Sequence, residues 1–261
     1  MNAFQIGFVI LCTIFSGAML GMLVGSLLPP HHASNEARGV IGVSMAVVGT
    51  MSALVISFLI SNASNSFATR NSEITQLSSD IIQLDRVLRR YGPEADAARD
   101  ALQHYTTMKF DDLFPQEMNK KPSMDNPASL KTLEQVQDLV SALKPHDDHQ
   151  RLLSTEALQL ADQVNNARWV LAQQKMTSVI PGPFLVGVVT WLTILFASFG
   201  LFAPRNVTVA ITLLLCAFAI ASAFKMVLDL ESPFGGIIPI SGFPIRISSE
   251  AMRHAMEAIN R

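Results

Sequence analysis

From residue 4 to residue 28 the chain runs for 25 positions without a charged side chain. No other feature narrows the possible folds as much. As a helix, at about 1.5 Å per residue, that run is ~37 Å long, enough to cross a hydrocarbon core of about 30 Å with some tilt. A secretory leader does not fit. The run is too long, no Lys or Arg precedes it, and further apolar runs follow. Residues 40–60 and 183–202 repeat the pattern, and a fourth run covers residues 207–228 after a tight Pro204-Arg205-Asn206 turn. Composition agrees: 49% of residues are hydrophobic and only 15% charged, against roughly 25% charged in an ordinary soluble domain. The expected fold is an all-α membrane protein with four transmembrane helices and a helical bundle between the second and third.

Basic residues orient these spans, because loops on the cytoplasmic side carry an excess of Lys and Arg. Residues 61–180 hold 13 of the 19, and the C-terminal tail adds Arg246, Arg253 and Arg261, whereas the two short opposite loops carry Arg38 and Arg205. Arg70, Arg168 and Lys175 lie close to span ends. The bundle and both termini are therefore expected in the cytoplasm, with the spans in the cell membrane. The expected division is 1–62 for the first two spans and 63–180 for the helical domain, then 181–230 for the last two spans and 231–261 for a tail ending in a short helix.

The first span carries Gly17, Gly21 and Gly25 at four-residue spacing, which suits close helix–helix packing by dispersion contact in lipid. The second span meets no helix breaker between Gly49 and Gly92-Pro93, so residues 40–91 predict one rod of ~78 Å. Ile74, Leu77, Ile81, Leu84 and Leu88 make a buried seam on it at 3,4 spacing. Pro93 suits the first turn of a new helix running to about Lys109, and residues 114–128, with three prolines, read as a loop. Leu133, Val136, Val140 and Leu143 mark another helix, and Leu153, Ala157, Leu160, Val164, Ala167 and Leu171 mark the last before the third span. Ser248 or Ser249 reads as the cap of a terminal helix with Glu250 in its first turn.

No catalytic, cofactor-binding or metal-ligating constellation is recognisable: P-loop, GxGxxG, HExxH and GxSxG patterns are all missing. The net charge of −2 without a basic run gives no footprint for nucleic acid. Cys12 and Cys216 sit in apolar runs as small hydrophobes. His146-Asp147-Asp148-His149 is dense in ligand types but reads as a solvated turn, since a metal needs more ligands. His31, His32 and His104 read as ordinary loop or surface residues. Lys225, near the end of the fourth span, faces Asp229 one turn on. It reads as a snorkelling, ion-paired anchor, or as a charge at the mouth of a pore.

The most informative stripe lies on the second helix, where Thr50, Leu54, Ser57, Ser61, Ser64, Ala68, Asn71, Thr75 and Ser78 follow one face at 3,4 spacing. Hydroxyls at membrane depth need a carbonyl, a neighbouring helix or water. Such a face is either a close-packed interface or the wall of a water-filled pathway. On the second reading Thr50, Leu54, Ser57, Phe58, Ser61 and Ser64 line the pore, and Phe58 and Phe67, on adjoining faces, supply apolar constrictions.

The run SFLISNASNSFATRNSEITQLSSDIIQLDRVLRRYGPEA over residues 57–95 resembles the bestrophin-like domain family. So does the tail pattern LDLESPFGG followed by IRISSEAMRHAM. The positions that carry the resemblance are Ser66, Phe67, Arg70, Glu73, Asp80, Asp85, Tyr91, Gly92, Pro93, Pro233 and Phe234. It implies a distant relation to bestrophins, pentameric anion channels whose pore is lined by the second helix. It therefore implies a homo-oligomer in a bacterial inner membrane as well, with the lipid bilayer and inorganic ions such as chloride as the other partners. The contrasting expectation is a non-conducting membrane scaffold or sensor whose helical domain binds a protein partner.

Overall fold

The computed structural model describes residues 3–27, 35–115, 122–174, 182–231 and 247–260. His31, His32, Lys175, Pro233, Phe234, Arg246, Arg261 and the Pro181-Gly182 junction ahead of the third span fall outside or at the edge of these residues. Every regular element among the described residues is helical. The helices are α1 (Ala3–Leu27), α2 (Asn35–Tyr91), a 3₁₀ turn (Pro93–Ala95), α3 (Asp96–Leu113), α4 (Pro127–Ser141), α5 (Asp148–Gln174), α6 (Gly182–Phe202), α7 (Val207–Glu231) and α8 (Glu250–Ile259). Four of them, α1, α2, α6 and α7, are long and apolar enough to cross a membrane.

Two compact units emerge. The first comprises Met1–Ser66 and Val179–Glu231, the second Phe67–Ser178 and Ser232–Arg261. The boundary falls inside α2, which runs unbroken for 57 residues.

In the first unit α1 packs on α6 and α7. The glycine spacing explains how. A Cβ on Gly17 would stand 2.6 Å from Thr193 Cγ2, and one on Gly21 or Gly25 would overlap the carbonyl oxygen of Ala197 or Leu201. The fit is reciprocal, since a Cβ on Gly200 would collide with Ala18 O. The partner of the glycine face is thus α6 of the same chain. Backbone meets backbone, which is how helices gain dispersion contact where lipid competes equally for apolar side chains. Membrane hydroxyls close on their own helix: Thr13 donates to Val9 O at 2.8 Å and Thr193 to Val189 O at 2.7 Å.

The second unit has a conventional core. Ile74, Leu77, Ile81, Leu84 and Leu88 of α2 are buried, as are Leu133, Val136 and Val140 of α4 and Leu153, Ala157, Leu160, Val164 and Leu171 of α5. Met252, Ala255 and Ile259 dock α8 into this core. Gly92, with φ 121° and ψ −174°, occupies backbone space that L side chains avoid, so it can turn the chain sharply after α2. A 3₁₀ turn at Pro93 then precedes α3, which extends to Leu113 rather than stopping near Lys109. Helix α4 starts earlier than expected because Asn126 caps it, its side chain accepting from Ala128 N, and Pro127 takes the first turn. Ser249 is the N-cap of α8 without a side-chain cap bond, and Ser248 Oγ, one residue earlier, accepts from Glu250 N at 3.2 Å.

Candidate functional site

Helix α2 carries two opposite faces in the first unit. Ser52, Leu59 and Ala63 are buried against the chain itself. On the other face Thr50, Leu54, Ser57, Phe58, Ser61 and Ser64 are all exposed, Leu54 by 67% and Phe58 by 65%. The buried face continues down the helix as Arg70, Ile74, Leu77, Ile81, Leu84 and Leu88. The exposed stripe ends sooner than its spacing suggests. Ser78 is buried, donating to Ile74 O at 2.8 Å and to Met252 Sδ at 3.6 Å, because α8 covers that turn.

Of the four apolar helices, α2 has the least cover from its own chain. In its most apolar stretch 11% of residues are buried, against 33% in α1. Cβ atoms added at Gly39 and Gly42 would meet nothing within 4 Å, and one at Gly49 would only touch Leu195 at 3.9 Å. Val40, Val43, Val47 and Met51 lie exposed beside the hydroxyl stripe. So wide an uncovered apolar and hydroxyl surface on one helix is open to lipid, to water or to another helix. Thr50 turns its hydroxyl onto Ala46 O at 2.8 Å.

Lys225 lies on α7, its Nζ donating to Asp229 Oδ2 at 2.6 Å. Its stem passes close to Gly7 of α1, where an added Cβ would be 3.5 Å away. Its charge is therefore answered within one turn.

In the second unit the residues that carry the family resemblance are mostly structural. Arg70, Asp80, Asp85 and Tyr91 are buried. Asp85 accepts from Arg89 at 3.1 Å and from Arg99 at 3.0 Å, which ties α2 to α3. Gln150 Nε2 donates to Tyr91 O at 3.1 Å, tying the Gly92 turn to α5. A cleft of about 330 Å³ between α2 and α5 is lined by Glu73, Gln76, Asp80, Gln163, Asn166, Ala167 and Val170. There Gln76 donates to Asp80 at 2.7 Å.

The His146–His149 turn does helix-capping work. Asp147 Oδ1 accepts from Gln150 N at 2.6 Å, and Asp148 pairs with Arg151 at 3.3 Å. Among the described residues no group of three His, Cys, Asp or Glu side chains can hold a metal ion. His104 is exposed on α3.

Sequence reasoning missed one buried polar centre. Lys109 of α3 is fully buried, and Arg168 of α5 is only 1% exposed. Lys109 Nζ donates to Met124 O at 2.7 Å, and Arg168 Nη2 donates to Asp125 at 2.8 Å. A 3,4 periodicity in apolar residues gives no sign of such cations, since each reads as part of a solvated face.

The bestrophin-like domain model matches residues 12–245. No match is found among the curated proteins. Among solved structures, a point variant of a bacterial bestrophin homologue from Klebsiella pneumoniae is 13% identical, with 95% of this chain and 99% of that chain covered and a TM-score of 0.66. The same organism's homologue solved by zinc phasing is also 13% identical, covering 94% and 97%, with a TM-score of 0.63. A variant described only as a membrane protein is 12% identical, covering 98% and 99%, with a TM-score of 0.65. The chain belongs to the bestrophin-like domain family and has a bestrophin-like fold.

Proposed function

We propose that this membrane protein of the bestrophin-like family is one subunit of a homo-oligomeric ion channel that conducts anions passively along α2. The observation that carries the reading is the exposed stripe of Thr50, Leu54, Ser57, Phe58, Ser61 and Ser64. It faces away from the chain's own packing, on the apolar helix with the least cover. Copies of α2 around an axis, five by analogy with bestrophins, cover the apolar flanks and leave the hydroxyls toward the centre. Hydroxyls and water then solvate the ion, and a ring of Phe58 side chains gates by dewetting. Anion preference rests on analogy between folds. Lys225 is the candidate mouth charge, with a field that is that of an ion pair with Asp229. The Lys and Arg distribution supports a cytoplasmic second unit and cytoplasmic termini, and the family resemblance supports a bacterial inner membrane.

Flux from liposomes carrying the purified protein, with chloride and potassium gradients tested separately, decides the matter. Anion-selective flux that Ser61→Trp abolishes, with assembly intact, is the expected result. Unchanged flux in Ser61→Trp removes this face from the pore. Absence of any flux from folded, inserted protein favours a scaffold or sensor whose second unit binds a soluble partner.

A further inference from the structure

Residues 123–126 are moored to α3 and α5 by four polar links. Ser123 N donates to Asp112 O at 2.8 Å and Lys109 Nζ to Met124 O at 2.7 Å. Asn126 Nδ2 donates to Asp112 Oδ1 at 2.8 Å, and Arg168 Nη2 to Asp125 Oδ1 at 2.8 Å. The mooring is unusual in what it buries. Lys109 takes part in no ion pair among the described residues, and the Arg168 guanidinium acts on it from α5. Among the described residues, Arg168 Nε and Nη1, Tyr105 OH and Asp112 Oδ2 are buried without hydrogen-bond partners. The charges of Lys109, Arg168, Asp112 and Asp125 cancel, and the open atoms include an acceptor as well as donors. An added anion therefore does not complete the site.

We propose that Lys109, Asp112 and Arg168 form a proton-sensitive clasp that holds residues 123–126 more firmly once the Lys109 amine is neutral. An uncharged amine still donates to the Met124 carbonyl, while a buried ammonium beside a guanidinium is costly. Burial first and Arg168 second pull the Lys109 pKa down from 10.5 to about 8, against the opposing pull of Asp112 and Asp125. The other charges around the site stand apart from it. Lys131, Glu134 and Asp138 of α4 and Glu250, Arg253, His254 and Glu257 of α8 are exposed, and Asp85 of α2 is paired with Arg89 and Arg99. Burial pushes the Tyr105 hydroxyl up, away from the range in which Lys109 titrates.

The sign follows from linkage. Once the clasp opens, Lys109 is solvated and binds a proton up to about pH 10.5, whereas the closed form releases it near 8. Closure therefore strengthens as pH rises between those values and is flat below them. The Ser123 amide reports it. Hydrogen exchange of the full chain in lipid nanodiscs, corrected for the intrinsic rate, is expected to show protection rising roughly twentyfold from pH 7.5 to 9.5. Lys109→Met and Lys109→Arg should each flatten that rise, and Tyr105→Phe should keep it. Flat protection in the wild-type chain, which needs no variant to fold, overturns the proposal. So does an undiminished rise in Lys109→Arg.

Discussion

The two units of this chain solve the packing problem in opposite ways. In the first, helices meet through their backbones, with Gly17, Gly21 and Gly25 of α1 against α6 and Gly200 of α6 against α1. Large side chains such as Phe8, Leu20, Trp191 and Phe218 are left outside. In the second, side chains interdigitate around Leu84, Leu88, Leu102 and Tyr105, with buried alanines such as Ala95, Ala98 and Ala157 filling in between them. The buried polar groups divide the same way. Ser52 is the one in the first unit among the described residues, while the second buries Arg70, Asp80, Asp85, Lys109, Asp112 and Arg168. Lipid gives apolar side chains little reason to leave it, so close packing, which glycines permit between backbones, becomes a main source of attraction. Water drives apolar side chains inward at roughly 25 cal/mol per Å², a margin wide enough to carry paired charges in with them.

Breaking each unit by its own rule sharpens the contrast. Gly21→Leu should have the largest effect, because its side chain must occupy space held by the Ala197 backbone and nothing flexible can yield. Loss of monodisperse protein on size-exclusion chromatography is expected, and a normal profile would show that α1 and α6 are not held by backbone contact. Leu84→Ala, fully buried in the second unit, should cost about 2–5 kcal/mol. Thermal unfolding followed by circular dichroism measures it, and a cost near zero would mean that this core is loosely packed. Gly92→Ala should cost less, about 1–3 kcal/mol, since φ 121° is nearly closed to other residues. The nearest atom to the added Cβ is the movable Glu94 carboxylate at 2.9 Å, so strain rather than collision sets the loss. Chemical denaturation of the same protein reads it.

Sequence periodicity revealed the apolar helices and the seam of α2 because both are repeats along one helix, and 3.6 residues per turn converts spacing into a face. The hydroxyl stripe was legible for the same reason, down to Thr75. Its last member, Ser78, was not, because its burial depends on Met252, 174 residues away in sequence. The partner of the α1 glycines was hidden likewise, since a small-residue motif says how closely a helix can be approached and leaves open by which helix. Lys109 and Arg168 were invisible because the groups they bond, Met124 O and Asp125, lie 15 and 43 residues away in sequence. The family-characteristic positions also divide instructively. Of those described, Ser66 falls at the end of the first unit and the rest, such as Arg70, Asp80, Asp85, Tyr91 and Gly92, fall in the second, and none belongs to the candidate pore face.

The glycine groove of α1 also has a bearing on how the chain is made. Its partner α6 begins at Gly182, about 155 residues after α1 ends at Leu27. At synthesis rates of about 5–20 residues per second, α1 waits in the bilayer on the order of 10–30 s before α6 has left the ribosome. For that interval the helix that fills the groove in the folded chain does not yet exist, so this contact is among the last that the first unit can make.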